Sequence, residues 1–223
     1  MNLVGPTAFS RAMILGLRAG RKTETRRMMQ PQPASGNYVT AFAKVADSNL
    51  VTLWKEVDRH HEFVRSVKYP YGKSGDSRWI QEEHQLVEIG PLRKGRRVVT
   101  CQYLADNVTA ERELTVFETD KLDSRRTDPK RPMPGRFMYQ SLSRSAITLT
   151  GVRPERLQQL TEQDAYAEGV DHDGEGVVWI PGTDLPQGLD PRQVYFGLWD
   201  SLHPKEPAAT DPYVWRLVFT FST

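Results

Sequence analysis

Apolar residues fall at Phe9, Met13 and Leu17, four positions apart, and predict a helix over Thr7 to Ala19 with Pro6 just before it. Gly20 stands where a C-terminal cap needs positive φ. From Lys22 to Met29 the pattern changes to alternation, which predicts a strand. Thr23, Thr25 and Arg27 then share one face, and Lys22, Glu24 and Arg26 the other, with Lys22 at the junction free to lean towards Thr25. Pro31 to Gly36 reads as a loop. Tyr38 to Ala46, Leu50 to Val57 and Glu62 to Tyr69 alternate as three strands, with turns at Asp47–Asn49 and Asp58–His61.

After a turn-rich loop from Tyr69 to Asp76, a strand is predicted from Arg78 to about Val87. It sends Trp79, Gln81 and Glu83 to one face and Arg78, Ile80, Glu82 and His84 to the other, so the two carboxylates diverge. Arg93 to Arg97 forms a basic turn before a strand pair at Val98–Leu104 and Glu111–Glu118. Asp120 to Arg136 is polar and proline-rich and reads as a solvated loop carrying Arg125, Arg126, Lys130 and Arg131. Its alternative use is as a basic flap over nucleic acid, with Phe137 and Tyr139 as stacking groups. Ile147, Leu149 and Val152 mark a buried strand. Thr161 with Asp164 caps a helix that carries Ala165, Ala167 and Glu168 and ends at Gly169. Asp171 to Gln187 is predicted as loop, Arg192 to Leu202 as helix, and Tyr213 to Phe221 as a last strand. Trp199 and Trp215 are expected in the core.

Composition narrows the classes. At 223 residues the chain can hold one domain with a substantial core. With 38% hydrophobic and 26% charged residues, it has the make-up of an ordinary globular chain. No apolar run approaches the roughly 20 residues of a membrane span, and no secretory signal opens the sequence, so a cytoplasmic protein is expected. A single cysteine, Cys101, excludes an internal disulfide and lies in an apolar strand. The net charge of +2 is too small to imply a polyanion partner, so clustering of the basic residues carries more weight.

Known chemical motifs are sparse. Tyr69 to Asp76 lacks the spacing of a phosphate-binding P-loop. His60 and His61 are adjacent and would point apart on a strand, and Asp171-His172-Asp173 lacks the glycine pattern of a calcium loop. These give no metal site, and no cofactor is expected. What remains is the density of cations, hydroxyls and one carboxylate between Arg21 and Arg27.

That segment, Gly20 to Arg27, resembles the signature of the ASCH domain, a small barrel related to PUA RNA-binding domains. The stretches Tyr69–Glu82, Ile147–Gly169, Phe196–Leu202 and Tyr213–Phe219 resemble, in the same order, later parts of phage and prophage ASCH-like proteins. The resemblance implies an α+β fold: a PUA-like mixed β-barrel with flanking helices, forming one domain over residues 1–223 with insertions at about 31–68 and 90–136. In the family's N4-acetylcytidine amidohydrolase branch, a lysine and a threonine of the signature act with a glutamate. The pattern Gly-Arg-Lys-Thr-x-Thr-x-Arg places Lys22, Thr25 and, on the later helix, Glu168 in those catalytic roles. Substrate contacts then fall to Arg27, Arg26, Arg144, Glu82 and Trp79, although two residues separate Arg144 from Ile147 here, unlike in the family. The implied activity is deacetylation of N4-acetylcytidine or a similar modified nucleoside. Alternatives are a non-catalytic RNA- or nucleotide-binding module and, third, a metal-dependent ribonuclease.

Overall fold

The computed structural model describes residues 3–33, 39–44, 50–57, 60–68, 70–125, 128 and 130–223. Strand β1 (Leu3–Ala8) leads into helix α1 (Arg11–Arg18), and the chain returns as β2 (Glu24–Met28). A meander follows: β3 (Val39–Lys44), β4 (Leu50–Val57) and β5 (His60–Lys68). Then come β6 (Ser77–Gln81), β7 (His84–Ile89), β8 (Val98–Tyr103), β9 (Thr109–Glu113) and helix α2 (Val116–Asp123). The long β10 (Ala146–Arg156) precedes helix α3 (Glu162–Ala167), a short pair β11 (Asp171–His172) and β12 (Val178–Trp179), helix α4 (Pro191–Leu202) and β13 (Tyr213–Ser222). The fold is α+β.

The main sheet has five strands in the order β1-β6-β10-β13-β2; β1 runs parallel to β6 and the other pairs are antiparallel. It does not close into a barrel among the described residues, because β1 and β2 are its two edges. A side chain joins them instead: Arg27 on β2 donates from Nη2 to the Ala8 carbonyl at the end of β1, at 2.6 Å. Against the sheet and α1 lie Phe9, Ile14, Leu17, Ile80, Ile147, Leu217 and Phe219. A second apolar cluster gathers Leu157, Ala165, Val194, Trp199 and Val214 beneath α3 and α4. Trp199 and Trp215 are buried as expected.

The meander expected between residues 31 and 68 forms as its own three-stranded sheet, β3-β4-β5. Both of its predicted turns include positions outside the described residues. A second separate sheet, β7-β8-β9, occupies the other predicted insertion. It starts earlier than predicted, since the strand expected over residues 78–87 breaks at Glu82 and Glu83. There Met133 exchanges backbone hydrogen bonds with His84 and pulls the chain into the second sheet. The carboxylates diverge as predicted: Glu82 is buried on Arg144, and Glu83 reaches Arg11 at the surface.

Four boundaries are corrected. Thr7 and Ala8 belong to a strand, because they pair in register with Ile80 and Gln81, and the helix starts later with Ser10 accepting from the Met13 amide. The strand predicted to reach Glu118 stops at Glu113, since Thr115 and Glu118 form a reciprocal capping box and start α2. The loop expected from Asp120 therefore begins only after Asp123. The predicted loop at 171–187 contains the β11–β12 pair. No helix among the described residues is long and apolar enough to cross a membrane.

Candidate active site

The signature segment is threaded between two helix ends. Gly20 takes a φ of +72°, and the Arg21 and Lys22 amides both donate to the Gly16 carbonyl, wrapping the chain under α1. The Thr23 amide then donates to the Ala167 carbonyl at the end of α3, at 2.8 Å. Helix α3 is short, but its capping box is complete: Asp164 N–H donates to Thr161 Oγ1, and Thr161 N–H to the Asp164 carboxylate. Glu168 follows as the C-cap, and Gly169 turns the chain away at a φ of +108°. Lys22 and Glu168, far apart in sequence, therefore meet.

Their geometry is close. Lys22 Nζ donates to Glu168 Oε2 and to the Glu168 backbone carbonyl, each at 2.7 Å. The Tyr195 hydroxyl on α4 donates to Glu168 Oε1 at 3.2 Å, and Arg26 Nη1 reaches the same oxygen at 3.3 Å. Burial pushes the Lys22 pKa below its ordinary value, against the pull of Glu168 and with help from Arg27 and Arg26. The Tyr195 phenol moves well upward, first through burial and then through the Glu168 charge, so it remains a donor.

Around this pair lies a cavity of about 180 Å³, lined in part by Ala8, Phe9, Thr25, Arg27, Trp199 and His203. It sits at the seam between the edge strands β1 and β2. Thr25 is buried on β2 opposite Leu217, and its hydroxyl makes no hydrogen bond to the described residues. The Arg27 guanidinium lies 5.3 Å from the centre of the Phe9 ring, and its Nε is buried without a hydrogen-bond partner. The site thus holds a buried amine with a lowered pKa, a hydroxyl, a carboxylate that orients the amine, and an unused cationic donor. That set can activate a hydroxyl and stabilise a developing oxyanion.

Lys22, Thr25, Glu168, Arg27 and Arg26 come together, but Arg26 is not free to hold a ligand. Its side chain is wholly buried, bonded through Nε to Glu155 at 2.7 Å and close to Asp164, Glu168 and Glu24. Burial would lower its pKa, yet Glu168 and Glu155 hold it above the ordinary value. The other three substrate-contact candidates do not line the cavity. Glu82 and Arg144 form a two-pronged ion pair at 2.8 and 2.7 Å, and Arg144 also reaches Asp106 and stacks 3.9 Å over Tyr103. Trp79 and Arg144 line a separate groove. Sequence reasoning missed the α4 wall of the cavity. Tyr195, Trp199 and His203 repeat at four-residue steps, which marks one helix face, and His203 stacks on Trp199 with ring centres 4.0 Å apart.

Among the described residues no group of three or more His, Cys, Asp or Glu side chains is placed to hold a metal ion. The chain matches no protein-family model, no curated protein and no solved structure.

Proposed function

We propose that the chain is an ASCH-type, cytoplasmic amidohydrolase that removes the acyl group from the exocyclic amine of N4-acetylcytidine or a similarly modified nucleoside. On this reading, the five-stranded sheet with α1, α3 and α4 is a PUA-like core whose seam stays open, and the two three-stranded sheets are insertions. The observation that carries the activity is the Lys22–Glu168 pair, buried in one cavity with Thr25 and Arg27.

In the proposed reaction the neutral Lys22 amine takes the Thr25 proton, and Oγ1 attacks the acyl carbon. Arg27 donates to the oxyanion from Nε. Collapse of the intermediate breaks the carbon–nitrogen bond, and the leaving amine takes the proton back from Lys22. Water, deprotonated in turn by Lys22, attacks the acetyl ester; the bond from the acyl carbon to Thr25 Oγ1 breaks, Oγ1 takes the proton back from Lys22, and acetate leaves. Glu168, braced by Arg26 and Tyr195, keeps the amine aimed through both steps.

One observation favours a second reading. The Glu168 carboxylate is already engaged by Lys22, Arg26 and Tyr195, as a purely structural strut would be, and the cavity would then only bind a nucleoside or RNA.

The deciding experiment incubates purified protein with N4-acetylcytidine, with and without a chelator, and follows cytidine release by chromatography. Chelator-insensitive release is expected, together with loss of about a hundredfold or more in kcat for Lys22→Ala and Thr25→Ala. Saturable binding without turnover establishes the module reading instead. Chelator-sensitive cleavage of RNA without deacetylation establishes the ribonuclease.

A further inference from the structure

One open groove of the described surface plays no part in this chemistry. A groove of about 930 Å³ runs between the β6 and β10 strand ends, helix α2 and the segment after it, and it shares no lining residue with the Lys22 cavity. Its volume is at the upper end for ligand clefts, with room for more than a single nucleoside. Trp79, Phe117 and Tyr139 give it planar apolar walls. Phe117 is 67% exposed, far more than an aromatic ring serving only the core.

The charges around the groove divide into used and unused ones. Arg144 is neutralised by Glu82 and Asp106. Glu118, the acid in the wall, is buried and turned inward, accepting from Thr115 and from both the amide and hydroxyl of Ser141. By contrast Lys121, Arg125 and Arg136 have no acidic partner among the described residues. Each rides on an aromatic ring: Lys121 on Phe117 at 4.5 Å, Arg125 on Tyr139 at 5.0 Å and Arg136 on Phe137 at 4.7 Å. Lys121 and Tyr139 also line the small adjoining pocket that contains Arg125 and Arg136, so the cations continue directly from the groove.

We infer that this groove binds a single strand of nucleic acid, with bases stacked on the aromatic walls and phosphates paired with Lys121, Arg125 and Arg136. Excess cation matches a polyanion, and interleaved ring faces match unpaired bases. A duplex hides its base faces, and an acidic peptide has carboxylates but no stack of planar groups to cover these rings. The inference is independent of the deacetylation reading, since no residue of the Lys22 cavity contributes.

The test is fluorescence anisotropy with fluorescein-labelled oligouridylate and oligothymidylate of about twelve nucleotides, within the usual span of single-strand sites. Three paired phosphates on a single strand give a log–log salt slope of about −2, so a fourfold rise in salt weakens binding about twentyfold. Phe117→Ala weakens it about fivefold or more by removing a stacking face. Lys121→Ala with Arg136→Ala lowers the slope by about 1.4. These side chains are exposed, and an unchanged thermal midpoint verifies that the variants fold. Tighter binding of oligouridylate than oligothymidylate assigns the strand as RNA; equal binding assigns either strand chemistry. The inference is overturned if neither oligonucleotide binds at low salt or a duplex binds as tightly. It also fails if the charge variants weaken binding while Phe117→Ala does not, because the groove is then an unspecific basic patch.

Discussion

At the scale of single residues, the site turns on one buried amine. Lys22 is fully enclosed, and burial outweighs the attraction of Glu168 in setting its pKa below the ordinary 10.5. If Lys22 is the base, turnover must rise with pH and level off at an apparent pKa below that ordinary value; a kcat that is flat with pH would remove it from that role. Stability follows the same group. Below 10.5 the unfolded chain holds a proton on Lys22 that the folded chain releases sooner, so folding stability gains with rising pH across that interval. Urea unfolding of wild type against Lys22→Met at several alkaline pH values reads this out: the difference should move in favour of wild type as pH rises. A difference independent of pH would mean that the amine titrates normally. Cys101 provides a contrasting case. Burial first, and then the Glu82 charge, push its thiol up to about 12, so thiol alkylation of the native protein at neutral pH should leave it unlabelled by mass spectrometry until denaturant is added.

At the scale of elements, short helices place these groups. Helix α3 spans only Glu162–Ala167, too short to hold itself, and relies on the reciprocal Thr161–Asp164 cap at one end and Gly169 at the other. Thr161→Ala should cost about 1 kcal/mol in urea unfolding. If the proposed deacetylation holds, it should also lower kcat more than it raises KM, because Glu168 loses its fixed position while the cavity walls do not. Gly169→Ala meets a φ of +108° that costs about 1–3 kcal/mol for a side chain, while its methyl would only touch Lys22 at ordinary contact distance. An alanine variant as stable as wild type would show that the backbone there relaxes. Helix α3 and its cap were legible in the sequence because Thr161 and Asp164 have the right spacing, and α4 was legible from Val194, Leu198 and Leu202. The start of α2 was not, although Thr115 and Glu118 have capping-box spacing, because residues before Glu118 alternate as a strand would. The N-terminal strand was missed for a related reason: the helical period begins only at Phe9, and nothing local reveals that Thr7 and Ala8 pair with β6. Long-range pairing also defeated the assignment of Arg26 and Arg144. Sequence shows that they are cations near the signature motifs, but most of the acids that neutralise them arrive from distant places: just past β6, the turn between β8 and β9, β10 and α3 with its cap.

At the scale of the whole molecule, the acids around Arg26 join into one largely buried network that ties the sheet to α3. Lys22, Arg26 and Arg216, with the exposed Arg153 at the rim, face Glu24, Glu155, Asp164 and Glu168 across β2, β10, β13 and the end of α3. Arg26 is its hub, since it alone touches all four acids and none of its side chain is exposed. Burial of the acids is tolerable only while the guanidinium remains, so Arg26→Ala should cost about 3–5 kcal/mol, a large share of the roughly 5–15 kcal/mol that holds a folded domain. Arg26→Lys should recover only part of it, because a point charge cannot serve acids arriving from several directions as a planar fork does. Acid should attack the same network. Burial alone would raise the Asp164 pKa, but the Thr161 amide, Arg26 and Arg216 hold it below its ordinary 3.8. That stabilisation is complete above 3.8 and is lost as pH falls through the lower folded value, when Asp164 protonates in the native state. Circular dichroism along an acid titration should therefore show wild type unfolding below about pH 4 and Arg26→Lys unfolding at higher pH, with less left to lose. If Arg26→Ala unfolds in urea at the wild-type midpoint, the network is not what joins the sheet to α3, and the position of Glu168 must rest on the apolar contacts of α3 and α4 alone.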